Sequence, residues 1–332
     1  MKVLKNSFLA IFVVAFLTGC AGSANFVTNP ASMIADQQSK LYLIILIPAA
    51  VVFLIVEGGI IVSVARFLHR KGDSTEPAQV HGNVPLEIIW TAIPVLLVIF
   101  IFIIGLNTMN GIAAPAPSTN DLRVNVVGHQ WWWEFDYPDL GITTADELYI
   151  PVGTSVQITL TSVDVVHSFW VPQLAGKTDV VPGQTNHMWI TASQTGTYDG
   201  QCSEFCGIEH ALMRAKVVVV SAADFQTWVK GQQTPPPAPQ SALETQGQKL
   251  VENGMCAACH TIDGSPAKGK IGPNLTHLYS RSFFAGATFP LTDANIANWL
   301  QNNKTMKPGN LMGVHVSDQD LPAITAFLKT LK

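Results

Sequence analysis

The sequence predicts a multi-domain membrane protein: a two-helix transmembrane hairpin, then an all-β domain, then a smaller all-α domain. Three observations carry that prediction. Two apolar runs, residues 41–67 and 86–106, are each long enough to span a bilayer. Short segments of alternating polarity, punctuated by Gly and Pro, fill residues 120–231. A helical pattern returns in residues 241–332, after a Pro-rich stretch. Composition agrees, because 48% of the 332 residues are hydrophobic and only 13% are charged, too apolar a balance for an ordinary soluble protein. The net charge of −4 comes with no basic patch, which argues against nucleic acid as a partner.

Residues 1–19 read as an export signal. Lys2 and Lys5 precede an apolar run that ends in the small-residue site Leu17-Thr18-Gly19-Cys20. An uncleaved anchor is the plainer alternative, but the run has the length of a signal. Residues 25–40 are polar and lead over the outer surface into the first span, which Glu57 interrupts. A carboxyl at that depth faces protein or water rather than lipid. Arg66, Arg70 and Lys71, with His69, follow this span, whereas only Lys40 flanks its other side. The positive-inside rule therefore places residues 66–85 in the cytoplasm and both ends of the hairpin outside. Glu87 sits at the cytoplasmic end of the second span; taken alone it is an interfacial carboxylate.

A Pro/Ala/Ser linker at 113–120 opens the β region. Strand-like alternation occurs at 122–127, 147–150, 155–160, 187–190 and 215–220, with turns at Pro151-Val-Gly and Val181-Pro-Gly. Many short strands of this kind argue a β-sandwich or barrel. Residues 128–138, Gly-His-Gln-Trp-Trp-Trp-Glu-Phe-Asp-Tyr-Pro, are unusually aromatic and read as core or as a belt facing the bilayer.

Chemistry concentrates at residues 202–213, Cys-Ser-Glu-Phe-Cys-Gly-Ile-Glu-His-Ala-Leu-Met, with His167 upstream. Thiolate and thioether are soft ligands and imidazole is borderline, a mixture that suits copper. A one-copper blue site takes two His, one Cys and a weak Met. The second Cys makes a second copper, bridged by both thiolates, the economical reading. A disulfide would explain neither His210 nor Met213, and zinc would have no need of Met213.

The Pro-rich linker, residues 232–240, separates the two extramembrane units. Its nine residues would span roughly 28 Å as extended polyproline. Tethering gives an effective concentration on the order of millimolar, so the last domain is expected to visit its neighbour on a short leash. A helical pattern at 243–255 leads into Cys256-Ala-Ala-Cys-His260, a c-type haem attachment motif. Both thiols would form thioethers and His260 would take the proximal iron position. A thioredoxin-like Cys-x-x-Cys would not require the following His. Met306 and Met312 both compete for the second axial position. The last helix is expected at 320–331, capped by Asp320.

Residues 201–213 resemble the dinuclear copper loop of cytochrome c oxidase subunit II, and the resemblance runs from about Tyr42 to Lys332. It implies a Greek-key cupredoxin fold for residues 120–231. It implies copper ligands at His167, Cys202, Cys206, His210, Met213 and the backbone carbonyl of Glu204, whose side chain would face a magnesium ion shared with subunit I. It implies that Trp131 receives electrons on the way to copper, although Trp132 stands where the family often has Tyr. Glu87, in Glu-x-Ile-Trp, resembles the carboxylate at the mouth of a proton pathway into subunit I. Residues 241–332 resemble a class I cytochrome c: Gly272-Pro-Asn-Leu275 matches the loop bracing the proximal His, and Lys307-Pro-Gly-Asn-Leu-Met312 ends in the axial Met. The Leu-Thr-Gly-Cys ending resembles a bacterial lipobox, which would anchor the mature chain by a lipid on Cys20, outside the cell.

The resemblance as a whole implies the electron-input subunit of a caa-type respiratory oxidase in a bacterial plasma membrane. Electrons would pass from haem c to the copper pair and on to subunit I, where oxygen is reduced to water and protons are moved. Its expected partners are subunit I, further oxidase subunits, membrane lipid, and an upstream donor (a cytochrome c, a cupredoxin or a quinol-oxidising complex). Two other classes compete. A nitric-oxide reductase subunit differs only in its partner subunit, and a copper-delivery lipoprotein is disfavoured by the covalent haem. Nitrous-oxide reductase shares the loop but needs more histidines than the nine here.

Overall fold

The computed structural model describes residues 27–68, 81–113 and 121–332. The expected signal at 1–19, Cys20, His69, Arg70, Lys71 and most of the 113–120 linker lie outside the described residues. The chain divides into two compact units, Asp36–Pro115 and the remainder.

The first unit is a pair of helices, α1 (Met33–Phe67) and α2 (Val84–Gly111). Among the described residues these are the two helices long and apolar enough to cross a membrane. Both outrun the expected spans of 41–67 and 86–106, because capping decides their ends where hydropathy does not. Ser32 Oγ accepts from Ala35 N at 3.0 Å and starts α1 early. Asn83 Oδ1 accepts from Leu86 N at 3.2 Å and starts α2, with Pro85 in the first turn. No residue of α2 is buried within this chain, so an apolar helix of this length needs lipid or another subunit around it. Residues 31–32 do not merely cross the surface as expected. Ala31 N donates to Gln173 O at 2.8 Å and Ser32 Oγ to Leu174 O at 2.5 Å, with both residues buried against the β domain.

The β domain has ten strands: β1 (Leu122–His129), β2 (Trp132–Tyr137), β3 (Ile142–Ala145), β4 (Glu147–Pro151), β5 (Val156–Ser162), β6 (His167–Trp170), β7 (Thr178–Val180), β8 (Asn186–Ile190), β9 (Gly196–Cys202) and β10 (Arg214–Val220). They form two five-stranded sheets, ordered β3-β2-β1-β5-β8 and β4-β10-β9-β6-β7. The pairings β1/β5 and β4/β10 are parallel and the rest antiparallel, so neighbours in space are often distant in sequence. Trp133, Phe135, Leu148, Ile158, Leu160 and Phe169 fill the space between the sheets. The aromatic stretch is thus mostly strand β2, facing the core; it is not a bilayer belt.

Helix α3 (Ala222–Gln233) closes the domain, with Trp228 stacked on Tyr149 at 4.8 Å between ring centroids. It absorbs Gln232 and Gln233, so the expected 232–240 linker loses its first two residues to a helix capped by Ser221. The last domain packs α4 (Ala242–Glu252), α5 (Asp293–Met306) and α6 (Leu321–Leu328) around Val251, Ile296, Leu300, Ile324, Phe327 and Leu328. A two-stranded ribbon, β11 (Phe283–Phe284) with β12 (Phe289–Pro290), precedes α5. Ser241 and Glu244 form a capping box on α4. The Asp320 side chain makes no cap, contrary to expectation; Ser317 Oγ accepts from Asp320 N at 3.2 Å, and the helix ends at Leu328, short of residue 331.

Gly247 fixes how closely α4 and α6 approach. A Cβ there would lie 1.9 Å from Ala323 O. Gly247→Ala must push the two helices apart and is expected to cost the last domain about 2 kcal/mol or more. Thermal melting of that domain checks this, and an unchanged midpoint would mean the helices separate freely.

Candidate functional site

Strand pairing assembles one ligand cluster. β6 begins at His167 and β9 ends at Cys202, and these strands pair antiparallel through Phe169 and Cys202. Cys202 N donates to Met213 O at 2.9 Å, pinning together the two ends of the intervening loop. A 3-10 turn at His210–Leu212 then folds the His210 ring back over the loop. The sulfurs of Cys202 and Cys206 come within 3.7 Å. His167 Nδ1 lies 3.9 Å from the Cys202 sulfur, and His210 Nδ1 lies 3.6 Å from that of Cys206. Met213 Sδ is 3.8 Å from the Cys206 sulfur, and Glu204 O is 3.3 Å from that of Cys202. Ligand atoms of His167, Cys202 and Cys206 all fall within 4.8 Å of one another, and those residues and Met213 are buried. Two thiols facing each other, flanked by two imidazole Nδ1 atoms and a thioether, fit two soft or borderline cations sharing both sulfurs.

Electrostatics agree with a cation there. The hydrogen bond from Cys206 draws the Cys202 thiol down to about 3, aided by His167, and the same pairing pushes Cys206 up. Burial lowers the His167 imidazole, but Asp164 and the Cys202 sulfur outweigh it and raise it overall. Asp164 Oδ1 sits 2.8 Å from His167 Nε2, leaving Nδ1 for a metal. Asp164 also accepts from Gln130 N at 2.7 Å.

Asp164 and Gly128 escaped the sequence reading. A Cβ on Gly128 would lie 2.7 Å from His167 Cδ2, so only glycine admits the ring. An acid three residues before a ligand His was the available signal for Asp164; Gly128 had none, because the contact joins β1 to β6.

Trp131 reaches the cluster directly. Its Nε1 donates to Cys206 O at 3.0 Å, and Gln130 Nε2 donates to the same carbonyl at 2.8 Å. Trp132 instead stacks on His129 with centroids 4.0 Å apart, and burial pushes that imidazole down to about 4. The Glu204 side chain is half exposed and lies 3.8 Å from Lys177 Nζ.

A second site lies in the last domain. An apolar cavity, partly open to solvent, is lined by Cys256, Cys259, His260 and Met312, and also by Gln130, Trp131 and Trp132. His260 Nδ1 lies 2.8 Å from Pro273 O, which leaves Nε2 free to ligate an iron. A Cβ on Gly272 would lie 2.5 Å from the His260 ring, so this loop braces the imidazole at close quarters. Met312 Sδ accepts from Trp299 Nε1 at 3.1 Å. Two thiols, one imidazole and one thioether around an apolar cavity fit a covalently held haem. Glu57 and Glu87 lie in the helical unit and join neither cluster; Glu87 stands in the first turn of α2.

Comparison with known proteins agrees along the length of the chain. The family model for the periplasmic domain of cytochrome C oxidase subunit II matches residues 141–222, that for its transmembrane domain matches 22–108, and that for cytochrome c matches 244–332. Cytochrome c oxidase subunit 2 of Alkalihalophilus pseudofirmus is 36% identical over 345 residues, covering 100% of this chain and 99% of that protein. Its counterpart in Bacillus subtilis is 34% identical, covering 98% of this chain and 96% of that protein. The crystal structure of the periplasmic domain of subunit II from Bradyrhizobium japonicum is 32% identical, covering 36% of this chain and 97% of that one, with a TM-score of 0.34.

Met312 lines the cavity, while Met306 is the last residue of α5 and does not. In the haem-loaded chain, Met312→Ala is expected to abolish the low-spin Met-ligated absorption band, and Met306→Ala to keep it. The reverse pattern would reassign the axial ligand.

Proposed function

Because the chain belongs to the cytochrome c oxidase subunit II family and carries a fused cytochrome c domain, we propose that it is the electron-input subunit of a respiratory terminal oxidase. It is a membrane protein with extracytoplasmic domains and part of an oxidoreductase, working beside subunit I and further oxidase subunits. The two extramembrane domains imply copper and haem c. When bound, both supply one-electron redox chemistry, and oxygen reduction with proton translocation is assigned to subunit I.

The observation that carries this reading is the buried pair of thiols 3.7 Å apart, with two imidazole Nδ1 atoms and a thioether beside them. In the reading, Cys202, Cys206, His167, His210, Met213 and the Glu204 carbonyl would hold the copper, with the two thiolates as its main soft ligands and the thioether and carbonyl as weaker ones. Asp164 holds the His167 ring and its tautomer. Cys256 and Cys259 would hold the haem covalently, and His260 and Met312 would ligate its iron; Met/His ligation would raise the potential, as an electron carrier needs. Trp131 lies between the two sites, its indole on Cys206 O and its flank on the haem cavity. Buried sites of this kind hold their ligands rigid and exclude water.

Three further assignments come from the family resemblance alone: a lipid on Cys20, magnesium at the Glu204 side chain, and a proton-pathway role for Glu87. The mass of the mature chain and the magnesium content of a Glu204→Gln oxidase read the first two. The upstream donor is proposed to deliver electrons to the cytochrome c domain.

Cys202→Ser is expected to remove the paired-copper spectrum with its near-infrared band, and oxygen consumption with it. Retention of both would sink the dinuclear reading. Glu87→Gln is expected to slow turnover while copper reduction keeps its rate. Slow copper reduction in that variant would place Glu87 on the electron path instead.

A further inference from the structure

The cytochrome c domain meets the copper domain across a buried, charged seam. Asp146 and Glu147 are consecutive, at the junction of β3 and β4, and only 2% and 1% exposed. Asp146 Oδ1 accepts from Trp133 N of its own domain at 3.1 Å, and Oδ2 accepts from Gly286 N of the haem domain at 2.8 Å. Glu147 Oε1 accepts from Ser282 N and Phe283 N, each at 2.7 Å. Three backbone N–H groups of one haem-domain ribbon therefore end on two adjacent carboxylates of the copper domain. The buried Arg281 stands beside both acids.

Lys307 crosses in the other direction. It is 3% exposed, and its Nζ donates to Trp131 O at 3.0 Å and to Ala285 O at 3.1 Å. The same ammonium lies 3.4 Å from the buried Glu209 carboxylate, an ion pair rather than a close hydrogen bond. Arg214 N donates to Gly286 O at 2.9 Å and Thr288 Oγ1 to Leu212 O at 2.8 Å. Gly286 has φ +73°, and a Cβ on it would lie 2.7 Å from Trp131 O, so glycine alone permits this approach.

We propose that these contacts hold the haem domain permanently docked over Trp131, so that residues 234–240 act as a spacer and the face beside Trp131 is closed to any external electron donor. The linker length by itself predicts a domain visiting on a short leash; the buried charges argue for a fixed one. A carboxylate or ammonium keeps its charge out of water only while its partners stay in place. Here the partners sit on opposite domains, so each separation would have to rehydrate both acids and Lys307. Encounter surfaces that part and rejoin keep such groups at a wet rim. Trp131 is 8% exposed, and Gln130, Trp131 and Trp132 line the same cavity as Cys256, His260 and Met312. The partner of that face is this chain's own haem domain. An outside donor must then deliver its electron to the haem domain.

The consequence for donors rests on the oxidase reading, but the docking does not, and it is measured without electron transfer. A protease site placed at Pro236 of the full-length, metal- and haem-loaded chain lets the linker be cut. After cutting, the haem fragment is expected to co-elute with the copper domain at high dilution and in molar salt, where the screening length is about 3 Å. Trp131 is expected to stay protected from hydroxyl-radical oxidation. Release of the fragment on dilution, or free oxidation of Trp131 in the uncut chain, overturns the proposal. Glu147→Gln combined with Lys307→Gln is expected to release the cut fragment and to raise Trp131 oxidation at least tenfold. If that variant keeps its haem and copper spectra yet stays docked after cutting, the named contacts are not the clamp. If it fails to fold, the cut wild-type chain still decides. Loss of the oxidase reading, through absence of a paired-copper band, would leave the co-elution result standing.

Discussion

The hydrogen bond from Cys202 N to Met213 O is the constraint on which the rest of the extramembrane structure depends. It ties the end of β9 to the start of β10, so a loop of ten residues between them has fixed ends. Given fixed ends, Cys206 and His210 have few places to go, and both turn back toward Cys202. The antiparallel pairing of β6 with β9 then brings His167 to the same point from a separate hairpin. A ligand set built on strands and one pinned loop is rigid, and rigidity is what a centre needs if its geometry is to survive a change of charge.

The same loop serves the neighbouring domain. Cys206 offers its sulfur to the cluster and its carbonyl to Trp131 and Gln130. Glu209, next to His210 of the cluster, faces Lys307 of the last domain. Leu212 offers its carbonyl to Thr288. Backbone and side chains of one short segment thus address a metal site on one side and a domain interface on the other. A shift at either would be felt at the other, because interiors packed to this density transmit strain.

Burial of charge shows where partners are fixed and where they are still to come. Asp146, Glu147, Arg281 and Lys307 are buried close to one another, opposite charges on opposite domains. Glu204, by contrast, leaves its side chain half exposed, and no residue of α2 is buried among the described residues. Membership of the oxidase subunit II family implies subunit I as a neighbour.

The sequence by itself determined what is local along the chain. The order and spacing of the Cys, His and Met side chains within 202–213 and 256–260 are read directly, and they suit soft-metal and haem chemistry, which takes particular side chains at short separations. The two spans are legible because lipid tolerates only long apolar runs. Tertiary structure alone decided what joins distant segments. Asp164, Gly128 and the strand character of Trp132–Tyr137 depend on which strands become neighbours, and β1/β5 and β4/β10 pair across long crossovers. The partners of Asp146 and Glu147, Gly286 and Ser282, lie 140 and 135 residues further on. A charge's burial is a property of its surroundings, and no local pattern encodes a partner at that range.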